Sequence, residues 1–387
     1  MALKEKAATK LHLPDLQIKG FRGIDDLMIP KLGRVTLFTG KNGVGKTTVL
    51  EAVEVYAARG NSNIIDDILL RREEYTFETD IEGDPVLQIN ELALFHDRRL
   101  PENPAWIGGS EYDTKLIIGS NLVSLDQPMG YMELGDPGKA VAVTASIGDK
   151  QVAFFGLVDA TGQLLSDAPG AGGVRRRVSP GIQGVDATPI PIACQFLHPS
   201  SVDNARLARL RDQIALTPDE GKALEALRIA YGNDIEAVTV VSEVADGWIP
   251  RTVGGRRAIV KLSGTNAPVS LKSLGEGAVR FYGTALALAN CKGGFLLIDE
   301  IENGIHHSVQ TDYWRMIFAA AKANDVQVLA TTHSWDTVKG FAQAAVQDEE
   351  SEGLAYRLER TKSGKLRAVD YTEDDLAVAV KADIELR

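Results

Sequence analysis

Cysteine is scarce, with two in 387 residues. Cys194 and Cys291 stand far apart in no CxxC or Cys/His spacing, which excludes a disulfide-stapled scaffold and a zinc finger. They read as buried thiols of a reducing cytoplasm. No apolar run is long enough to span a bilayer, so no membrane partner is expected. The first ten residues, "MALKEKAATK", hold charges but no apolar h-region; they are expected to form a disordered leader and not a secretory signal. Cations are the minority charge: 42 Lys and Arg against 53 Asp and Glu give a formal charge of −11. That balance excludes a protein coating nucleic acid over its whole surface. It leaves room for local patches at Arg71 and Arg72, Arg98 and Arg99, Arg175 to 177, and Arg256 and Arg257. Sustained heptads are absent too, which excludes a long coiled coil. What remains, 44% hydrophobic and 25% charged, is a globular composition with length for one elaborate domain or two to three ordinary ones.

Short apolar runs at 16–18 and 35–38 predict strands separated by the turn-like "KGFRGIDD". A helix follows the next glycines, with Leu50, Val53, Ala57 and Ala58 on one side. From about 80 to 193 alternating stretches such as "VLQINELALF" and "QVAFFGLVDATGQLL" are broken by Gly, Pro, Asp and Asn, a β-rich texture. Residues 199–231 turn helical, and "TPDE" at 217–220 combines an N-cap, a proline at the first helical position and acids in the first turn. A strand pair, "AVTVVSEV" and "RRAIVKL", precedes a helix over 275–290. Then come a strand at 295–299, a helix at about 308–323, a strand at 326–331, a helix at about 335–346, and the hairpin "GLAYRLER" and "KLRAVDY". A last helix is expected from Thr372, where Asp375 completes a capping box. Strands alternating with helices predict an α/β fold whose mostly parallel sheet is covered on both faces.

"GKNGVGKT", residues 40–47, matches GxxxxGK[ST] between a strand and a helix. Backbone N–H groups of Gly40, Lys41, Asn42, Gly43, Val44 and Gly45 would wrap the phosphates of a nucleotide. Lys46 would reach the β- and γ-phosphates, and the Thr47 hydroxyl would ligate Mg²⁺ at the helix N-terminus, beside Thr48. "LLIDEIENGIHHS", residues 296–308, ends an apolar run in two acids and then shows two histidines. Taken alone it is a metal site, a hydrolytic site or the ragged end of a buried strand. Beside a P-loop it fits a Walker B strand, with Asp299 holding Mg²⁺ through water and Glu300 polarising the attacking water. "VLATTHS" ends a further strand at His333, a second polar group for the γ-phosphate. "SLKSLGEGAVR", residues 270–280, sets Ser273, Gly275, Glu276 and Gly277 at the start of a helix, a second phosphate-seeking surface that makes sense if it serves the nucleotide of another subunit.

These motifs, in this order, resemble an ABC-type ATPase head. "IKGFRGIDD" before the P-loop strand is similar to the SMC/RecF/OLD side of that superfamily (OLD, overcoming lysogenization defect), and "DEIENGIHHS" to the "DEIE-x-x-LH" ending of stand-alone OLD-like ATPases of the AAA_15/AAA_21 kind. "KSLGE" corresponds to the LSGGE signature in degenerate form. The resemblance implies ATP and Mg²⁺ as cofactors, Glu300 and His333 as catalytic groups, and Arg22 and Gln195 as further nucleotide contacts, Gln195 as the Q-loop residue. Asn303 to 306 would form the dimer-contacting D-loop. Adjacent histidines on a helix point about 100° apart, a poor geometry for one ion. The resemblance divides the chain into 1–80, the first part of a nucleotide-binding lobe; 81–193, its β-rich elaboration; 194–290, a helical lobe; and 291–387, the second part of the nucleotide-binding lobe.

It also implies a partner in itself, two copies sandwiching two ATP molecules. Some fifty residues follow His333, too few for the TOPRIM nuclease domain that OLD-like proteins commonly carry, so a separate TOPRIM-type effector in a two-component anti-phage defence is the expectation. Alternatives are a RecF-like ATPase that clamps DNA and, less in keeping with the motifs, the cytoplasmic subunit of an ABC transporter. A nucleotide-gated scaffold that hardly turns ATP over is a further one.

Overall fold

The computed structural model describes residues 11–79, 84–99, 103–111, 114–124, 139–148, 150–158, 190–200, 202–242, 256–347 and 353–372, with 375 and 378. The leader at 1–10, the triple arginine at 175–177 and most of the last helix lie outside them.

The first strands are β1 (Leu16–Phe21) and β2 (Ile24–Ile29), a hairpin turning at Arg22 and Gly23. The stretch "KGFRGIDD", expected to be a turn, is therefore mostly strand. Polar residues fill the exposed positions of an edge hairpin while Leu16, Ile18, Phe21, Ile24 and Leu27 point inward. Next come β3 (Val35–Thr39), α1 (Lys46–Ala57), α2 (Ser62–Arg71) and a small hairpin, β4 (Tyr75–Thr79) with β5 (Pro85–Ile89). The β-rich segment supplies β6 (Ala105–Gly108), β7 (Leu116–Ser124), β8 (Lys139–Ile147) and β9 (Lys150–Val158). Together β2-β1-β6-β7-β8-β9 make an antiparallel sheet, so that sheet draws on both of the first two sequence segments.

β10 (Cys194–Leu197) leads to α3 (Asn204–Ile214), α4 (Pro218–Tyr231), and a three-stranded sheet of β11 (Ile235–Ser242), β12 (Arg256–Leu262) and β13 (Val269–Ser270). The remaining elements are α5 (Glu276–Asn290), β14 (Phe295–Ile298), α6 (Gln310–Asn324), β15 (Gln327–Thr331), α7 (Trp335–Gln347), β16 (Gly353–Arg360) and β17 (Leu366–Tyr371). Their sheet runs β10-β14-β15-β3-β16-β17 and is parallel except for β17. β3, β14 and β15 are buried at every residue, as unbroken apolar runs covered on both faces must be. β10 belongs to this sheet, so the helical lobe starts after it.

α1 lies between the two six-stranded sheets, against β14 and β15 on one side and β1 and β6 on the other. That sandwich explains why Glu51 and Glu54 are buried along with its apolar residues. Both are answered by cations: Arg72 Nε sits 2.7 Å and Arg22 Nε 3.5 Å from Glu51, and Arg71 2.8 Å from Glu54. Burial still pushes the Glu54 carboxyl up to about 7 against the opposing pull of Arg71. A second core joins the helical lobe to the other face of the parallel sheet around Trp314, Tyr313, Phe281 and Phe341. Cys291 is buried in it, its thiol pushed up by burial, whereas Cys194 is only half-buried. Thr372 and Asp375 exchange the reciprocal capping bonds expected of them, at 3.1 Å each way.

Candidate nucleotide site

The loop between β3 and α1 is bent by Gly40, Gly43 and Gly45, at φ 139°, 74° and 121°. Gly40 has a second reason to be glycine: a Cβ there would lie 2.4 Å from the carbonyl oxygen of Leu358 in β16. Lys41, Asn42 and Gly43 are exposed, Val44 is buried beneath them, and Thr48 is half-buried. The Lys46 ammonium donates to the carbonyls of Gly40 (2.7 Å) and Lys41 (3.1 Å). Burial lowers its pKa, opposed by Glu302, Asp299 and Glu300 in that order. The first turn of α1 carries no acid, so its N-terminal N–H groups face the loop with their positive end uncompensated.

Register in the parallel sheet brings the other motifs to the same edge. Thr331 of β15 pairs with Phe38 of β3, and Ala330 with Ile298 of β14, so residue 331 closes its strand where residues 299 and 40 follow the ends of the two neighbouring ones. There the Thr47 hydroxyl bonds both Asp299 oxygens (2.9 and 3.1 Å), and the Thr331 hydroxyl donates to Asp299 Oδ1 (2.5 Å). Thr331 also accepts the Glu300 N–H at 2.9 Å. Glu300 itself stands at φ 45°, in the left-handed region where a residue with a long side chain is strained by about 1 kcal/mol or more. Its Oε2 accepts from the Asn303 amide at 2.8 Å, and Asn303 also donates to the Pro199 carbonyl. His333 meets Glu302: the carboxylate Oε1 lies 2.9 Å from Nδ1 and accepts the His333 main-chain N–H at 2.9 Å.

Several expected contacts fall elsewhere. Gln195 lies inside β10 opposite Leu296, short of the strand end; the alternation of the strand and its length put His198, beside Asp299, at the edge where a Q-loop residue would stand. His198 stacks on Phe196 with ring centroids 4.3 Å apart, and burial with four nearby arginines holds its imidazole neutral, down to about 3. Arg22, at φ 49°, turns its guanidinium to Glu51 on the flank of α1 and not to the glycine loop. Gly277 is buried, and a Cβ there would lie 2.6 Å from the Tyr231 hydroxyl and 2.7 Å from the Gly304 carbonyl, so it packs the helix start against Tyr231 and Gly304. Ser273, Gly275 and Glu276 are exposed, and Glu276 pairs with Lys272 at 3.3 Å. His306 and His307 differ from expectation as well. His306 precedes a 3₁₀ turn in extended backbone, so the rings face each other at 4.1 Å, and its Nδ1 accepts the Ser308 N–H.

Sequence reasoning passed over Arg280. This buried guanidinium of α5 gathers three main-chain carbonyls, His198 (2.5 Å), Ser200 (3.3 Å) and Asp299 (3.1 Å), and so ties the helix behind Ser273 to the ends of β10 and β14. A lone cation inside "GAVRFYGTALALAN" was the available signal. Thr331 and His198 were equally readable as polar residues at the ends of apolar strands. The basic patches are mostly spoken for: Arg71, Arg72, Arg98, Arg99 and Arg256 each face a carboxylate.

Two family matches cover these motifs. Residues 258–338, from β12 through His333, match an AAA domain described with a candidate AbiEii toxin of a type IV TA system. Residues 15–103, with the P-loop, match a second AAA domain. Both segments that carry the site thus match AAA-domain models. The fold is mixed α/β, with the mostly parallel sheet, antiparallel sheet and helices described above. No curated protein matches the chain. Similar solved structures include the SmcHead bound to the C-winged helix domain of ScpA, at 12% identity over 94% of this chain and 98% of that one, TM-score 0.46. Others are the SMC head domain from Thermotoga maritima (14%, 94% and 100%, 0.41) and the Smc head domain with an extended coiled coil bound to the C-terminal domain of ScpA from Pyrococcus furiosus (12%, 96% and 99%, 0.39). No helix among the described residues is long and apolar enough to cross a membrane.

Proposed function

We propose that the chain binds ATP with Mg²⁺ and hydrolyses it, two copies closing around two nucleotides. The observation that carries this reading is the Thr47–Asp299 bond at the mouth of the P-loop, where three parallel-sheet strands, β3, β14 and β15, deliver Lys46, Glu300, Thr331 and His333 to one edge. The residues fit the group: a threonine hydroxyl and a carboxylate in contact are the oxygen donors a hard cation takes. Bound there, the ion would neutralise charge developing on the phosphate oxygens.

The chain's own residues supply the rest. Loop N–H groups and Lys46 hold the phosphates. Glu300 accepts the proton of the attacking water, oriented by Asn303. His333 offers its ring to the γ-phosphate. Exposed Ser273 and Gly275, at the start of α5, are left to bind the phosphates of the other copy's nucleotide, which makes dimer affinity depend on ATP.

Turnover and sedimentation of wild type and Glu300→Gln, each with MgATP, test this. Wild type should hydrolyse ATP; the variant should bind without hydrolysing and sediment as a dimer. Equal turnover in both would overturn the assignment.

A second reading concerns what the ATPase controls. The OLD-like form of "DEIENGIHHS" supports a two-component system in which this chain restrains a separate effector, a TOPRIM-type nuclease by the resemblance, and the type IV TA system in the family description is in keeping with a multi-component setting. The acid partners of the described arginines favour this over a DNA clamp. Affinity purification from the host with and without ATP decides it: a co-purifying nuclease supports it, and a lone ATP-dependent dimer that binds DNA replaces it.

A further inference from the structure

Three carboxylates crowd into four residues, Asp299, Glu300 and Glu302, yet they share no partner. Asp299 is bonded by Thr47 and Thr331, Glu300 by Asn303, and Glu302 by His333. We propose that Glu302 is a positioning residue for His333, fixing the tautomer and direction of the imidazole so that Nε2 faces the phosphate edge while Glu300 stays free to act as base.

The geometry rests on one oxygen. Glu302 Oε1 receives both the main-chain N–H and the Nδ1 of His333, each at 2.9 Å, and the carboxylate side chain is only 11% exposed. An ionised carboxylate only accepts, so the proton of this contact belongs to Nδ1, and Nε2 is the nitrogen left for a ligand. The main-chain bond pins the turn after β15 at the same time. The imidazole itself is 46% exposed. Without the anchor it would sample rotamers, and their loss would fall on the step in which the γ-phosphate is met; the anchor settles that cost during folding. Glu302 is also the strongest opposing charge on Lys46, which sets the pair beside the phosphate cradle.

This inference deepens the ATPase reading and rests on it, so its test needs a readout that does not require turnover. Selective ¹⁵N labelling of the six histidines in the full chain reports the His333 tautomer directly. Wild type should show a single Nδ1–H form; Glu302→Ala should show a mixture weighted to Nε2–H. In steady-state assays Glu302→Ala should lower kcat about 10- to 100-fold with KM for MgATP changed less than about threefold. Glu302→Gln, whose amide oxygen still accepts, should recover most of the loss. The double variant Glu302→Ala with His333→Ala should be no slower than His333→Ala alone. Independent, multiplying losses would overturn the proposal, as would a wild-type tautomer mixture. If the alanine variant does not fold, the wild-type spectrum and the glutamine variant still decide. Absence of wild-type ATP hydrolysis would instead sink the ATPase reading and leave the tautomer result standing.

Discussion

The two surfaces proposed to meet phosphate are built in opposite ways. At the ends of β3, β14 and β15 the side chains are already bonded to one another: Thr47 and Thr331 to Asp299, Asn303 to Glu300, His333 to Glu302, Lys46 to its own loop. At the start of α5, Ser273 and Gly275 stand exposed. The first surface is pre-assembled within one fold, as electrostatic catalysis demands. The second has backbone geometry without a ligand shell of its own. Arg280 is the bond between them, holding α5 to the carbonyls of Asp299 and His198.

Variants on either side of that contrast separate the two. The largest effect is expected from Lys46→Ala, which should weaken ATP binding at least about 100-fold by titration with a fluorescent nucleotide, since a buried charged contact is lost. Glu300→Gln should leave binding intact and lower kcat about 100- to 1,000-fold, the range of a lost general base. Ser273→Arg should do the reverse of Lys46→Ala: nucleotide binding by the single chain unchanged within about twofold, ATP-dependent dimerisation in the ultracentrifuge lost, and turnover reduced about tenfold or more. If Ser273→Arg weakened binding by the monomer, the division into a complete and an incomplete surface would be wrong. Arg280→Lys should sharpen the comparison, because an ammonium cannot bridge carbonyls spread over three positions; kcat should fall while dimerisation persists.

The smallest expected effect lies in α1. The Glu54 carboxyl is raised by burial to about 7, above its ordinary 4.5. The folded chain therefore binds a proton that the unfolded chain does not hold between those values. Its contribution is full below about 4.5 and is lost as pH rises through about 7. Wild type should lose melting temperature progressively between about pH 4.5 and 7.5 relative to Glu54→Gln, by at most roughly 3 kcal/mol in stability over that interval; parallel curves would refute it.

Strand and helix order in the second half of the chain was legible because its strands are short unbroken apolar runs and its helices keep a 3.6 period, as in "FLLID" and the stretch of α6. The β1–β2 hairpin was not, since "KGFRGIDD" spends its polar residues on an exposed sheet face that looks like a loop one residue at a time. That Thr47 and Asp299 would meet could be expected from spacing, because "GKNGVGKT" and the acid ending "FLLID" each close an apolar strand of the same sheet, and the structure places the two in contact. Gln195 could not be judged, because only the pairing of β10 with β14 reveals which residue reaches the strand end. Glu302 and Asn303 escaped for a similar reason: their partners are chosen by a turn at Glu300 whose left-handed backbone no local pattern announces.

The contact of Gly40 with β16 changes how loss of function should be scored in a genetic screen. An allele at position 40 and an allele at Lys46 would both abolish activity, yet the first collides with the Leu358 carbonyl before any nucleotide arrives. The two should part company in protein abundance: Lys46 alleles should accumulate to normal levels as inactive protein, whereas Gly40 alleles should be depleted from the soluble fraction.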